Sequence, residues 1–396
     1  MFPDDRPSVE APSFRSLNPA EQRQRLQELA AVFLKLGTIA FGGPAAHIAM
    51  MDDEVVQRRR WFSHDRLMDL LGITNLIPGP NSTELAIHIG YERAGWRGLL
   101  VAGSCFILPA MLIVWLLAAL YVRSQTIPQV DWLLYGVKPV IVAIVLQALW
   151  KLGRSAIKDY RTAIAAMAVI GLYFLGINEL LLLLLAGGLV MLSQQAGRTA
   201  AGWLLPTAIA TAGGAPSAAT EANWLSVFLI FLKIGSVLYG SGYVLLAFLQ
   251  RELVERMQWL TSQQLLDAIA IGQLTPGPVF TTATFIGYLL AGHAGAIAAT
   301  IGIFLPAFVL VGVVNPWVPK LRQSRWLSSF LNGVNAASLG LMAAVTWQLG
   351  LAALIDWLTV SVAIVSAIAV FRFRVNSAWL VLAGAIVGLV ARGIGE

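Results

Sequence analysis

Apolar residues in this chain gather in long runs, and the runs fall into two matching sets of six. The first set lies near 29–50, 67–91, 98–122, 132–150, 162–177 and 179–195. The second lies near 224–249, 265–289, 295–319, 327–350, 351–370 and 377–394. Runs of this length read as helices, and several approach the ~20 residues that cross a bilayer. The two sets coincide on a shift of 198 residues: Phe33, Lys35 and Gly37 fall on Phe231, Lys233 and Gly235, and Pro78-Gly79-Pro80 on Pro276-Gly277-Pro278. After one gap the shift becomes 197, so that Gly90-Tyr91 meets Gly287-Tyr288 and Leu108-Pro109-Ala110 meets Leu305-Pro306-Ala307. The chain therefore reads as a polar N-terminal segment (1–28), a first repeat (29–195), a linker rich in Gly, Ala, Ser and Thr (196–223) and a second repeat (224–394).

The second run of each repeat carries Pro-Gly-Pro at its centre, which breaks a helix. In the first repeat the arms are 67–77 and 81–91, each about 16 Å long at 1.5 Å per residue. Neither crosses a hydrocarbon core of about 30 Å, so a re-entrant hairpin is expected, its tip in protein or a cavity. Charge supports this. With the hairpin, Arg58, Arg59, Arg60, Arg93, Arg97, Lys151, Arg154, Lys158 and Arg161 share one face, as the positive-inside rule asks. Each repeat then makes five crossings, an odd number, and the two insert in opposite senses. The expected fold is an all-α polytopic membrane protein of two homologous inverted-topology halves. It has about 10 transmembrane helices plus re-entrant or broken helices at the Pro-Gly-Pro motifs. One cost remains: Arg6, Arg15, Arg23 and Arg25 fall on the other face.

Composition agrees with membrane embedding. Hydrophobic residues make up 58% and charged residues 12% of 396, against roughly 25% charged in soluble domains. The net charge of +6 would suggest nucleic acid in a soluble protein. Here the charges sit in loops between apolar runs and orient them, so the partner is the lipid bilayer and no nucleic acid is expected. The one cysteine, Cys105, rules out an intramolecular disulfide. His47, His64, His88 and His293 form no metal-spacing motif, and no phosphate-cradling loop is present. No cofactor, no metal and no enzymatic activity are expected, and no cleavable signal peptide is read at the N-terminus.

Three groups of residues stand out against this apolar background. Lys35 and Lys233 lie inside matching runs, where a lysine costs roughly 2.5–3.5 kcal/mol on insertion scales. Two readings are open: snorkelling or pairing with an acid such as Glu54, Glu84 or Glu252, or a pair of cations facing a central cavity. The second group comprises glycine and proline breaks with the polar residues after them. These are Gly42-Gly43-Pro44 and Gly240-Ser241-Gly242, then Pro78-Gly79-Pro80-Asn81-Ser82-Thr83 and Pro276-Gly277-Pro278 with Thr281 and Thr282. A broken helix presents free N–H groups and its positive dipole end at membrane depth, which suits an anion, although close packing of helices also uses small residues. Third, Glu84 has Thr282 as its counterpart and is a candidate for proton coupling or for structural pairing with Lys35 or His88. Asp69 and Asp267 read as residues near the membrane surface. Glu54/Arg58 and Glu252/Arg256 have the i,i+4 spacing of helix pairs.

The strings FGGPAAHIAMMDDEVV, NLIPGPNSTELAIHIGYERAGW and LTPGPVFTTATFIGYLLAGHAGAIAATIGIFLPAF resemble the signature blocks of the chromate ion transporter family in its two-domain form. That resemblance implies secondary active export of chromate across the bacterial inner membrane, driven by membrane potential or proton gradient, and kinship with sulfate, a similar tetrahedral dianion. A sulfate or other oxyanion permease is the alternative, and a lipid-phosphate enzyme the more distant one. The family's motif positions map to Gly42, Gly43, Pro44, Pro78, Gly79, Pro80, Asn81, Glu84, Pro276, Gly277 and Pro278. The second repeat has Val279 and Thr282 in place of Asn81 and Glu84, so the two sites would not be equivalent. A homodimer is the expected assembly if there is one.

Overall fold

The computed structural model describes residues 14–41, 43–124, 128–195, 222–239, 242, 244–314, 324–373 and 375–393. Among them all regular structure is helical. The first half holds α1 (Pro19–Ile39), α2 (Pro44–Asp52), α3 (His64–Thr74), α4 (Asn81–Arg123), α5 (Pro128–Ala156), α6 (Tyr160–Phe174) and α7 (Glu179–Gln195). The second holds α8 (Trp224–Val237), α9 (Leu245–Leu249), α10 (Ser262–Leu274), α11 (Thr282–Val314), α12 (Arg325–Ala353), α13 (Trp357–Phe373) and α14 (Ser377–Gly393). Four stretches, Asn81–Arg123, Asp131–Ala156, Val279–Val314 and Trp326–Ala353, are long and apolar enough to cross a membrane, and α6, α7, α8, α13 and α14 are shorter apolar helices. The chain is an all-α polytopic membrane protein with two repeats, as its sequence leads one to expect.

The repeat reaches into local geometry. Ser63 and Thr261, matching residues, cap α3 and α10 through side-chain oxygens that accept from Arg66 N–H and Gln264 N–H. Ala94-Gly95 and Ala291-Gly292 interrupt α4 and α11, with Gly95 at φ 58° and Gly292 at φ 59°. Those glycines sit in the left-handed region that suits them. Asp159 and Asp356 head α6 and α13, each bonded to the threonine three residues on.

The first run of each half folds back, as the second does, so the five crossings counted from the sequence fall to four runs that can cross in each half. Lys35 pairs with Glu54, residues that a straight helix would hold about 28 Å apart. The chain must reverse at the break after α1. Its base is fixed by Arg93, which bonds Glu28 at 2.9 Å and lies 4.1 Å from the Trp61 ring centroid. Arg25 donates to the Arg93 carbonyl oxygen. This settles the awkward N-terminal charges: α1 starts on the same face as Arg59 and Arg93, so Arg23 and Arg25 join the basic face (Arg6 lies outside the described residues). From the break at 94–95, α4 runs across to Arg123 and α5 returns, which puts Lys158 and Arg161 on that face too. In the second half Arg251 and Arg256 lie at the opposite face, but both are paired, with Glu255 and Glu252.

Matching helices pack antiparallel. Along α4 and α11, Trp96 lies against Gly312 while Trp115 bonds His293 at 3.0 Å. Along α5 and α12, Gly153 faces Leu339 while Gly350 faces Val142. An internal two-fold axis that relates antiparallel neighbours runs perpendicular to them, which is the geometry of an inverted repeat. The terminal helices are exchanged between halves: α6 and α7 pack on α12, and α13 and α14 on α5. Small residues permit the close approach. A Cβ on Gly187 would lie 2.6 Å from the Phe330 ring, and one on Gly340 would lie 2.5 Å from Ala166 O.

Candidate functional site

The four chain breaks meet between the two halves. Gly79 N–H donates to Leu238 O at 2.8 Å, and Gly277 N–H donates to Ala40 O at 2.9 Å. Leu238 and Ala40 are the residues at which α8 and α1 stop, so each Pro-Gly-Pro loop satisfies a carbonyl orphaned at a helix end in the other half. Only glycine fits there. Gly277 has φ 89°, and a Cβ on it would lie 2.7 Å from Ala110 Cβ. A Cβ on Gly79 would collide with Glu84 Oε1. Pro78, Gly79, Pro80, Pro276, Gly277 and Pro278 thus form the joint between halves.

On the basic-face side of this joint lies a cavity of about 520 Å³. Its floor is made by Pro44, the first residue of α2, by Asn81, the first residue of α4, and by Gly242 from the second half. Asn75 and Leu76, at the end of α3, complete the tip. Neither α2 nor α4 has a side-chain N-cap. Both therefore present free backbone N–H groups and positive dipole ends at the floor. The walls come from the end of α5 with Lys158, and from a polar stripe on α12: Ser328, Asn332, Asn335 and Ser338. Lys158 Nζ donates to Asn332 Oδ1 at 2.8 Å, and Asn81 Nδ2 donates to Asn75 Oδ1 at 3.0 Å. Ser338 is 2% exposed and its Oγ has no hydrogen-bond partner. Among the described residues, one lysine, several amides and hydroxyls and no carboxylate line the space. That set favours an anion.

The residues singled out from the sequence divide into three. Pro44, Asn81 and Gly242 line the cavity, with Gly43 as the N-cap of α2 at φ 78°. Ser82, Thr83, Thr281 and Thr282 are buried beside the joint. Ser82 Oγ meets His47 Nδ1 at 3.2 Å, while Thr281 and Thr282 hydroxyls turn back to Pro278 O and Val279 O. Lys35 and Lys233 do not reach the cavity; each is bound to the acid of its own hairpin, Glu54 and Glu252. Gly42, Gly240 and Ser241 lie outside the described residues. Glu84 is fully buried beneath Gly79, and neither carboxyl oxygen has a hydrogen-bond partner. Asp267 is not at the surface: it is 4% exposed and bonds Lys138 at 3.0 Å and Tyr121 at 2.9 Å.

Sequence reasoning missed Lys158, read only as a topology charge, and the α12 stripe. The signal for the stripe is in the chain: Ser328, Asn332, Asn335 and Ser338 recur at three to four residues in an otherwise apolar helix.

The profile of the chromate transporter family matches residues 27–192 and again 225–389. The chain belongs to the chromate transporter family. It is 30% identical to a chromate transport protein of Cupriavidus metallidurans over 376 residues, covering 92% of this chain and 93% of the relative. It is 32% identical to a chromate transport protein of Pseudomonas aeruginosa over 383 residues, 93% of this chain and 91% of the relative. An uncharacterised transporter of Bacillus subtilis matches at 32% over 130 residues, 33% of this chain and 73% of the relative. No solved structure matches. Membership places a transport role on this membrane protein.

Proposed function

We propose that this chain exports chromate, a tetrahedral dianion, from the bacterial cytoplasm across the inner membrane. The observation that carries this reading is the cavity between two uncapped helix N-termini, with Lys158 at its mouth and no carboxylate among the described residues of its lining. Its volume is more than ten times the roughly 30 Å³ of a water molecule, room for a small oxyanion with part of its hydration shell. The cavity opens on the face that gathers the arginines and lysines, which the positive-inside rule assigns to the cytoplasm. Substrate therefore enters from the side it must leave. Moving one charge through 100 mV is worth about 2.3 kcal/mol, so a dianion leaving a negative interior gains about 4.6. Glu84, buried and without a partner, is the candidate for carrying a proton in the cycle.

Everted vesicles with an interior-positive potential should accumulate chromate. A membrane-potential uncoupler should stop the uptake, whereas collapse of the pH gradient alone should stop it only in a chain that retains Glu84. Failure to accumulate chromate under an imposed potential overturns export. Equal accumulation of sulfate under the same conditions reassigns the substrate.

A further inference from the structure

The internal two-fold predicts a second vestibule on the opposite face. The two vestibules differ. Asn75, Ile48 and Asn81 line the open one; their counterparts Gln273, Leu246 and Val279 are 7%, 2% and 7% exposed. Asn335 has Lys138 as its counterpart, and Asp69 has Asp267. Only on the closed face do these two positions form a salt bridge: Lys138 Nζ lies 3.0 Å from Asp267 Oδ1, and Tyr121 O–H donates to Asp267 Oδ2 at 2.9 Å. Gln273, one and a half turns along α10 from Asp267, keeps a buried Nε2 with no hydrogen-bond partner. The far side therefore holds a cation and a hydroxyl donor on one carboxylate, with an unused buried amide farther along the same helix.

We propose that Lys138 and Tyr121 form a second oxyanion site, on the exit side of the path, and that the Asp267 carboxylate occupies it while that side is closed. This rests on the transport reading above and deepens it. The carboxylate stands in for the tetrahedral dianion: both accept from an ammonium and a phenol, and only one can be there at a time. Release of Asp267 frees the donors for the leaving anion. Its return expels the anion and shuts the exit. The open side has Asn335 at the lysine's position, so this lysine–carboxylate pair has no counterpart there.

The test reads accessibility and needs no transport. In a chain with Cys105→Ser, Gln273→Cys is probed in right-side-out vesicles with a membrane-impermeant thiol reagent. The cysteine should react slowly. Adding Asp267→Asn should raise the rate roughly tenfold, a modest shift of a two-state population. Chromate should slow that reaction, and Lys138→Gln should abolish the chromate effect. The exchange Lys138→Asp with Asp267→Lys should restore slow labelling, which also guards against an Asp267→Asn chain that fails to insert. Equal labelling rates with and without Asp267→Asn overturn the latch. A raised rate that chromate slows equally with and without Lys138 overturns the anion site. Labelling that follows the pattern above in the cysteine variant, while wild-type vesicles do not move chromate, would overturn the export reading and leave the latch standing.

Discussion

Lys158 and Lys35 show how differently two lysines of one membrane chain can be employed. Lys158 stands at a cavity mouth and, among the described residues, its ammonium meets an amide oxygen and no carboxylate, which leaves its charge for an incoming anion. Lys158→Gln should raise the KM for chromate about tenfold, since a hydrogen bond to a charged group is worth roughly 1.5–3 kcal/mol. Lys158→Arg should retain most of the affinity in the same vesicle assay. Lys35 instead neutralises Glu54, which is 4% exposed and also approached by Arg58 and Arg59. Lys35→Met should lower the amount of folded protein in the membrane several-fold, as a loss of about 1–2 kcal/mol does, and leave the KM unchanged. The exchange Lys35→Glu with Glu54→Lys should recover abundance, which a detergent-extract blot would register. The sequence already offered Glu54 as a partner for Lys35. It could not choose among Glu54, Glu84 and Glu252, because the choice depends on where the chain reverses.

At the scale of the element, the breaks were legible and their use was not. Proline and glycine mark 78–80 and 276–278 in any reading, because no helix survives them. What the loops bind is backbone of the other half, and backbone groups carry no side-chain signature. The same holds for the first run of each half. Its break is visible as Gly43-Pro44, but a kinked crossing and a folded-back hairpin have the same hydropathy, and only the Lys35–Glu54 and Glu28–Arg93 pairs decide between them. Caps are more readable. Asp159 accepts from Thr162 N–H at 2.8 Å, and this bond, before any other cause, holds its carboxyl below the usual carboxylate range. The folded-state value is depressed, so the cap contributes its stability above about pH 4 and loses it as the pH falls further. Asp159→Ala should lower stability at pH 7 by about 1 kcal/mol, and the difference from wild type should shrink on acidification in a thermal-melt series.

The whole molecule is two repeats that do not stand side by side. Since α6 and α7 pack on α12, and α13 and α14 on α5, each half completes the other. Co-expressed as two chains cut within the linker, the halves should assemble and co-purify, whereas either half alone should be degraded. Two halves each stable by itself would contradict the exchange. The repeat in the sequence foretold two like units, but the odd crossing count that argues for their opposite insertion fails once the first run of each half folds back; the antiparallel packing of matching helices carries the inversion instead. The repeat could not foretell the exchange, since a contact between α5 and α14 conserves the same apolar surface that a contact within one half would.

The reciprocal bonds from Gly79 to Leu238 and from Gly277 to Ala40 have an energetic meaning for the cell. Each loop holds the broken end of the opposite repeat, so one repeat cannot shift without dragging the other. Such a linkage acts as a seesaw: raising one end lowers the other, and both ends are never up together. A passage open at both mouths would let ions run down the electrical gradient and discharge the membrane. In the export cycle proposed above, the two glycine bonds would thus guard the cell's stored voltage.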